Sequence, residues 1–112
     1  MKRTQSIKLN KDFRRLYSRG NSFVSGYTVV YALKNRYENN RLGLTVSKSF
    51  GKAVQRNRLK RLMRESYRLM EDRINSGFDI IIVARNRAAG KTQQQIQKDI
   101  EYALRKMELI SD

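Results

Sequence analysis

The chain of 112 residues carries 25 lysines and arginines against 10 acidic residues, a formal charge of +15 that favours a nucleic-acid partner. Its length predicts one domain, residues 1–112, with a single hydrophobic core, and the lack of cysteine and histidine excludes disulfides, thiolate metal sites and histidine catalysis. The longest apolar run, residues 80–84, is too short to span a membrane and the N-terminus lacks an export signal, so we expect a cytoplasmic protein.

The first predicted element is a short helix that follows a basic N-terminal tail, residues 1–9. Asn10 is its expected N-cap and Gly20 its expected end, because asparagine side chains cap helices and glycine commonly terminates them. The inner face of this helix comprises Phe13, Leu16 and Tyr17. The segment that follows, residues 21–26, is predicted as a turn, with a short edge strand as the alternative.

Three strands are predicted from β-branched, aromatic and alternating patterns. Residues 27–33 carry such side chains on both faces, which is typical of a central strand. After a polar loop, residues 42–47 alternate apolar with small or polar side chains and form the second strand. Residues 78–84 form the third strand.

A long helix is predicted between the second and third of these strands. It begins at Ala53 and ends near residues 75–77, where Gly77 supplies the left-handed conformation that commonly ends helices. Its apolar stripe comprises Leu59, Leu62, Met63 and Met70. Its opposite face carries Asn57, Arg61, Arg64 and Arg68.

A basic loop, residues 85–91, leads from the third strand to the last predicted helix. Thr92 and Gln95 have the spacing of a capping box at the start of this helix. Its buried stripe comprises Ile96, Ile100, Ala103, Leu104 and Met107.

The order of these elements is helix, two or three strands, long helix, strand and helix, which predicts an α+β domain. We expect a small, mostly antiparallel central sheet packed by helices. The strands on either side of the long helix should be parallel, and the default hand of such a crossover is right-handed.

The acidic residues offer no evident catalytic centre. A nuclease that uses two metal ions needs carboxylates gathered within a few ångströms, whereas the carboxylates here are predicted on different elements. Gly51 also lacks the flanking residues of a phosphate-binding loop. The sequence therefore predicts no catalytic residue, no metal site and no small-molecule cofactor.

The start of the long helix and the residues before it form an uninterrupted basic run. No acidic residue occurs between Glu38 and Glu65, whereas a merely solvated helix face mixes both signs. This pattern favours RNA or DNA contact over a solvated surface. The predicted nucleic-acid-binding residues are Lys48, Lys52, Arg56, Asn57, Arg58, Lys60, Arg61, Arg64 and Arg68. Asn57 contacts a sugar or base edge, or alternatively caps its own helix.

Aromatic residues form a second candidate surface between the first helix and the sheet. Phe13, Tyr17 and Tyr31 are either core residues or a partly open groove on which unpaired bases stack. The pattern alone does not decide between these interpretations.

The basic run also resembles the signature of the bacterial ribonuclease P protein subunit. The hallmark of that family is Arg56-Asn57-Arg58, and the likeness extends over residues 41–48, 51–61 and 64–65. Asp12-Phe13 in the first helix and residues 78–85 in the last strand add to it. Ser49 and Phe50 depart from the lysine and the aliphatic residue that are frequent in the family.

The resemblance implies a left-handed crossover and a division of labour with RNA. It implies that a large catalytic RNA subunit, with magnesium held mainly by that RNA and the substrate, cleaves precursor tRNA to release the mature 5′ end. The basic helix would bind this RNA, and Phe13, Tyr17 and Tyr31 would contact the 5′ leader of the precursor tRNA. The alternatives are an RNA-binding module of another ribonucleoprotein, such as a ribosomal or RNA-chaperone protein, and a metal-dependent nuclease in its own right.

Overall fold

The computed structural model describes residues 3–111. The helices are α1 (Asn10–Arg19), α2 (Ala53–Met70) and α3 (Gln93–Lys106). The strands are β1 (Thr4–Ser6), β2 (Asn21–Val24), β3 (Thr28–Lys34), β4 (Asn40–Thr45) and β5 (Phe78–Ala84). Short 3-10 turns occupy Lys48–Phe50, Glu71–Arg73 and Asn86–Ala88. None of the helices in this part of the chain is long and apolar enough to cross a bilayer.

The five strands form one sheet in the order β1-β4-β5-β3-β2. The predicted α+β class and the parallel pairing of β4 with β5 are confirmed. The sheet is nevertheless not mostly antiparallel, because the N-terminal segment adds β1 parallel to β4, so that two of the four strand pairs are parallel. The middle position belongs to β5, and β3 lies between β5 and β2. The left hand of the β4-α2-β5 crossover stays a prediction from the resemblance.

For two helices, one predicted end differs from the observed end by a few residues. Leu9, and not Asn10, occupies the N-cap position of α1, without a capping hydrogen bond from its side chain. Helix α2 ends at Met70 instead of near residues 75–77, because Ile74 is buried and pairs with Ile110 in an extended conformation. Gly77, with φ +91°, shapes the turn before β5 instead of ending the helix.

Helices α2 and α3 cover one face of the sheet, and α1 covers the other. Residues of α2 and α3 share a core with the α2-facing side chains of the strands, such as Val30, Leu42 and Ile82. Leu16 of α1 packs with Ile7 and Ile81 on the opposite face. The edge strand β2 confirms the alternative prediction for residues 21–26.

The predicted apolar stripes of α2 and α3 are largely confirmed. Leu59, Met63 and Met70 are buried and Leu62 is half-buried, while Tyr67 joins the α2 stripe without having been predicted. The predicted residues of α3 are buried except for Met107, which is half-buried.

Tyr67 ties α2 to one edge of the sheet. Its fully buried hydroxyl lies 3.0 Å from Thr4 Oγ1 in β1 and accepts a 3.4 Å hydrogen bond from Asn40 Nδ2 in β4. Asn40 Oδ1 in turn accepts from the backbone N–H of Phe78 at 2.8 Å. Burial raises the pKa of Tyr67, which favours the neutral phenol. These contacts fix the basic helix over β4.

Gly43 allows α1 to approach the sheet closely. A Cβ atom at this position of β4 would lie 2.8 Å from two ring carbons of Phe13. We therefore expect Gly43→Ala to lower the free energy of unfolding by about 1–2 kcal/mol, as overpacking does, despite the smaller backbone entropy cost of alanine. Urea unfolding of Gly43→Ala, Phe13→Leu and the double variant measures this. The shorter leucine should reduce the penalty, and strictly additive losses would contradict a clash with Phe13.

Candidate nucleic-acid interface

The outer face of α2 presents cations that have no carboxylate partner in the described part of the chain. Asn57, Arg61 and Arg64 are exposed, while the other side of the helix enters the core. Among residues 3–111, neither Arg58, Arg61 nor Arg64 forms a salt bridge. Arg61 and Arg64 are one helical turn apart, so their side chains emerge as neighbours about 5–6 Å apart at Cβ. This face can bind successive phosphates of a polyanion.

Two of the predicted binding residues already have protein partners. Arg56 Nη1 donates a 2.6 Å hydrogen bond to the carbonyl of Gly51, which holds the preceding loop against the first turn of α2. Arg68 Nε donates to Glu65 Oε2 at 3.0 Å, and this hydrogen bond lowers the pKa of the Glu65 carboxyl. The charge of Arg68 is therefore balanced locally, unlike the charges of Arg61 and Arg64.

The capping interpretation of Asn57 is wrong. Helix α2 starts at Ala53 after the N-cap residue Lys52, whose N–H donates to Gln55 Oε1 at 2.9 Å. Asn57 lies inside the helix with an exposed side chain, so its amide is available to a bound molecule. Its two hydrogen-bonding groups suit a sugar or a base edge.

Ser49, one departure from the family signature, makes local contacts in the loop before α2. Ser47 Oγ accepts a 3.2 Å hydrogen bond from the N–H of Ser49 and lies 2.8 Å from Ser49 Oγ. Ser49 thus stabilises the 3-10 turn from within. Lys48 in this turn and Lys52 just after it are exposed.

The predicted aromatic residues come together on the α1 face of the sheet. The ring centroids of Phe13 and Tyr17 are 6.4 Å apart, and Tyr17 meets Tyr31 edge to face at 4.9 Å. Tyr17 is 41% exposed, and its hydroxyl lies 3.4 Å from Thr45 Oγ1 on β4. Phe13 and Tyr31 are half-buried. The three rings therefore form one partly exposed cluster, Phe13, Tyr17 and Tyr31, which we call the aromatic groove.

The aromatic groove and the basic helix share a boundary. A cleft of about 160 Å³ between α1, β4 and α2 is lined by Phe13 and Gly43 on one side and by Lys60 and Arg64 on the other. The exposed cations of α2 and the exposed ring of Tyr17 therefore lie on either side of this cleft. The sequence predicted both surfaces but not that they adjoin.

A buried ion network holds α1 at the edge of the aromatic groove. Arg41 of β4 donates to both carboxylate oxygens of Asp79, with Nε to Oδ1 at 2.9 Å and Nη2 to Oδ2 at 2.6 Å. Arg15 of α1 reaches Asp79 Oδ2 at 3.2 Å, and Asp12 of α1 reaches Arg41 at 3.4 Å. Asp12 and Asp79, predicted to be dispersed, therefore share one guanidinium.

The protonation state of Asp79 follows from competing effects. Burial alone would raise the pKa of its carboxyl, but hydrogen bonds from Arg41 and Asn35 and the nearby positive charge outweigh it and lower this pKa. Asp79 is thus ionised, and its carboxylate is bound by Arg15 and Arg41. Within residues 3–111, no three His, Cys, Asp or Glu side chains group as ligands for a metal ion.

The chain is similar in sequence to proteins of one family. The Ribonuclease P family model matches residues 1–108. The "Ribonuclease P protein component" of Alkaliphilus oremlandii is 42% identical over 99% of this chain and 97% of that protein. The protein of the same name from Clostridioides difficile is 40% identical, over 96% of this chain and 95% of that protein.

Solved structures agree with this result. The RNase P protein of Staphylococcus aureus superposes with a TM-score of 0.87 at 38% identity and covers 95% of this chain and 97% of its own. A mutant of the Staphylococcus aureus protein with defective mRNA degradation activity superposes equally well, with a TM-score of 0.87, 39% identity and coverage of 94% and 89%. The RNase P protein of Thermotoga maritima gives a TM-score of 0.81 at 31% identity, covering 88% and 93%.

Proposed function

We propose, since this chain belongs to the bacterial ribonuclease P protein family, that it binds a catalytic RNA and the 5′ leader of precursor tRNA in the cytoplasm and promotes endonucleolytic 5′ maturation. The single observation that carries this proposal is the adjacency of two surfaces. Unpartnered cations of α2 and the aromatic groove meet at the cleft between Phe13 and Arg64. Family membership also favours this function over a ribosomal or RNA-chaperone role.

In this proposal the chemistry belongs to the RNA subunit. Magnesium would be held mainly by that RNA and the substrate, and would supply an activated water and charge stabilisation at the scissile phosphate. The protein contributes binding and orientation. Arg61 and Arg64 neutralise phosphates of the catalytic RNA and release counterions, which lowers the magnesium concentration needed for a compact complex.

The aromatic groove supplies the contact with the leader. Unpaired bases stack on aromatic rings with little regard to sequence, which suits a leader whose sequence differs between tRNAs. Tyr17 offers its exposed ring first, and Tyr31 lies behind it edge to face. Lys60 and Arg64 at the entrance can hold the leader backbone while its bases enter.

A cleavage assay tests the proposal. A precursor tRNA is incubated at low magnesium with the ribonuclease P RNA of Clostridioides difficile, with and without this protein. We expect the protein to increase cleavage at the mature 5′ end and to cleave nothing there on its own. No stimulation would contradict the subunit role. Magnesium-dependent cleavage at that site by the RNA-free protein would instead support a nuclease in its own right.

Tyr31→Ala tests the contact with the leader. We expect the affinity for precursor tRNA to fall by about 1–3 kcal/mol if a base stacks on this ring, with less change for Tyr31→Phe, which keeps the ring. The measurement is a binding titration of the assembled protein–RNA complex with substrates that carry or lack the leader. Equal losses with leaderless tRNA would show a packing defect, because Tyr31 also contacts Tyr17.

A further inference from the structure

A second set of aromatic and basic side chains lies on the opposite side of the sheet from the aromatic groove. This lysine–tyrosine strip comprises Tyr27, Lys91, Lys98, Tyr102 and Lys106. Tyr27, Lys98 and Tyr102 line one shallow depression on the outer face of α3. Lys91 Nζ lies 5.0 Å from the ring centroid of Tyr27, and Lys106 Nζ lies 5.4 Å from that of Tyr102.

The strip is accessible, and its cations lack acidic partners. Tyr102 is 51% exposed, with its ring held edge to face by Phe23 at 5.8 Å. Within residues 3–111, Lys91, Lys98 and Lys106 form no salt bridge. The positive charge along α3 is therefore available to a ligand.

The carboxylate beside the strip is occupied by the protein itself. Asp99 Oδ2 accepts hydrogen bonds from the hydroxyls of Ser25 and Thr28, both at 2.7 Å. These bonds fasten the turn between β2 and β3 onto α3. They also place Tyr27, the last residue of that turn, beside Tyr102.

The strip continues the basic surface of α2. Arg58 of α2 and Lys91 line the same cleft, together with Phe50 and Ala89. Lys91 then covers Tyr27, and Tyr27 borders Lys98 and Tyr102. The contact between Lys91 and Tyr27 thus links the cleft beside α2 to the depression on α3. The basic loop noted in the sequence contributes the link through Lys91.

We propose that the lysine–tyrosine strip binds an unpaired segment of RNA, with a base stacked on Tyr102 and phosphates held by Lys98 and Lys106. Alternating rings and cations match the alternation of bases and phosphates in a single strand, whereas an acidic protein would use the charges alone. The inference rests on the proposed RNA-binding function, because the strip extends from the face of α2 to which that function assigns RNA.

Photocrosslinking locates the bound strand directly. The probe is a single-stranded oligouridine of about 15 nucleotides that contains 4-thiouridine, long enough to cover several rings. Trypsin cleaves after Lys98 and Arg105, so residues 99–105 form one peptide that contains Tyr102. Tyr17 of the aromatic groove falls in a separate peptide, residues 16–19. We expect crosslinks in both peptides.

Matched variants of α3 then test the contribution of the strip. Lys98→Ala and Arg105→Ala remove the same charge from the same helix, but Arg105 is paired with Glu101 at 2.8 Å. We expect Lys98→Ala to weaken oligouridine binding and to reduce its salt slope by about 0.7, with a smaller effect of Arg105→Ala. Tyr102→Leu should weaken it about fivefold or more through lost stacking and leave the affinity for heparin, which has no bases, unchanged.

The outcomes separate this proposal from the function on which it rests. The proposal for the lysine–tyrosine strip would be overturned, and the subunit role left intact, by crosslinks confined to α1 and α2. Equal effects of Lys98→Ala and Arg105→Ala, together with no effect of Tyr102→Leu, would lead to the same conclusion. Failure of the unaltered protein to bind any RNA would overturn both.

Discussion

Replacing Arg61 and Arg64 together with alanine is expected to weaken the complex with the catalytic RNA about hundredfold. Each exposed guanidinium can make charge-assisted hydrogen bonds to phosphate, which are worth about 1.5–3 kcal/mol, and tenfold in affinity corresponds to about 1.4 kcal/mol. The magnitude of the slope of log K against log salt should decrease by about 1.4–1.8, because the variant makes two fewer phosphate contacts and therefore releases fewer counterions. Filter binding over a range of salt concentrations measures both quantities.

Arg68→Ala is the matched control for this double variant. It removes one guanidinium from the same helix, but that group already binds Glu65. Its loss should therefore change the affinity and the salt slope less than Arg61→Ala alone. Equal effects of Arg61→Ala and Arg68→Ala would contradict specific contacts by the exposed pair and would indicate a general dependence on net charge. Urea midpoints should stay close to that of the unaltered protein, because Arg61 and Arg64 are exposed.

The face that α2 presents could be predicted because amphipathic periodicity is a local property of the sequence. Leu59, Met63 and Met70 point inward and Arg61 and Arg64 point outward, as their spacing requires. The predicted end of this helix was wrong because a tertiary contact determines where the helix stops. Ile74 leaves the helix to pair with Ile110, which is distant in the chain.

Strand β1 could not be predicted from its own residues. Thr4-Gln5-Ser6 has one β-branched residue and no apolar residue, and β-structure at an edge depends on the neighbouring strand that pairs with it. Here the neighbour is β4, and the buried hydroxyl of Tyr67 adds a contact to Thr4. This addition gives the sheet a second parallel pair beside the predicted pair of β4 and β5.

The identity of the candidate binding residues was easier to predict than the contacts that they make within the protein. Charge in the sequence indicates where a polyanion can bind, but not that Arg68 is balanced by Glu65 or that Arg56 holds Gly51. The network around Asp79 was missed because its partners come from distant segments. One signal was available: an aspartate within an apolar strand must be buried, and a buried carboxylate requires a cationic or hydrogen-bonding partner.

Asp79→Ala is expected to lower the free energy of unfolding by about 3–5 kcal/mol at neutral pH, the usual cost of removing one partner from a buried ion pair. The substitution leaves the guanidinium of Arg41, whose side chain is only 16% exposed, without its bidentate partner. Arg15, at 44% exposure, is better solvated and adds less to the loss. Urea unfolding monitored by circular dichroism measures the difference.

A double variant separates charge from shape. Asp79→Leu with Arg41→Leu removes both charges of the bidentate pair and should cost less than Asp79→Ala, because the guanidinium of Arg41 is no longer left buried without this partner. The remaining cost includes the contact that Asp12 loses with Arg41. Should the double variant be as unstable as Asp79→Ala, the carboxylate would matter through packing and not through Arg41. Because Arg15 also loses its contact, α1 should move, and leader-dependent binding at Tyr17 should fall in both variants.

The pH dependence of the stability difference between the unaltered protein and Asp79→Ala gives an independent check. The pKa of Asp79 is lower in the folded protein than in the unfolded chain, so the folded state favours the ionised carboxylate. The resulting stability is fully present above the unfolded value of about 3.9 and is lost as the pH falls from there through the folded value. The gap between the unaltered protein and Asp79→Ala should therefore be constant near neutrality and should narrow below about pH 4. A gap that stays the same under acid conditions would show that the aspartate acts without its charge, and that the network does not hold α1 beside the aromatic groove electrostatically.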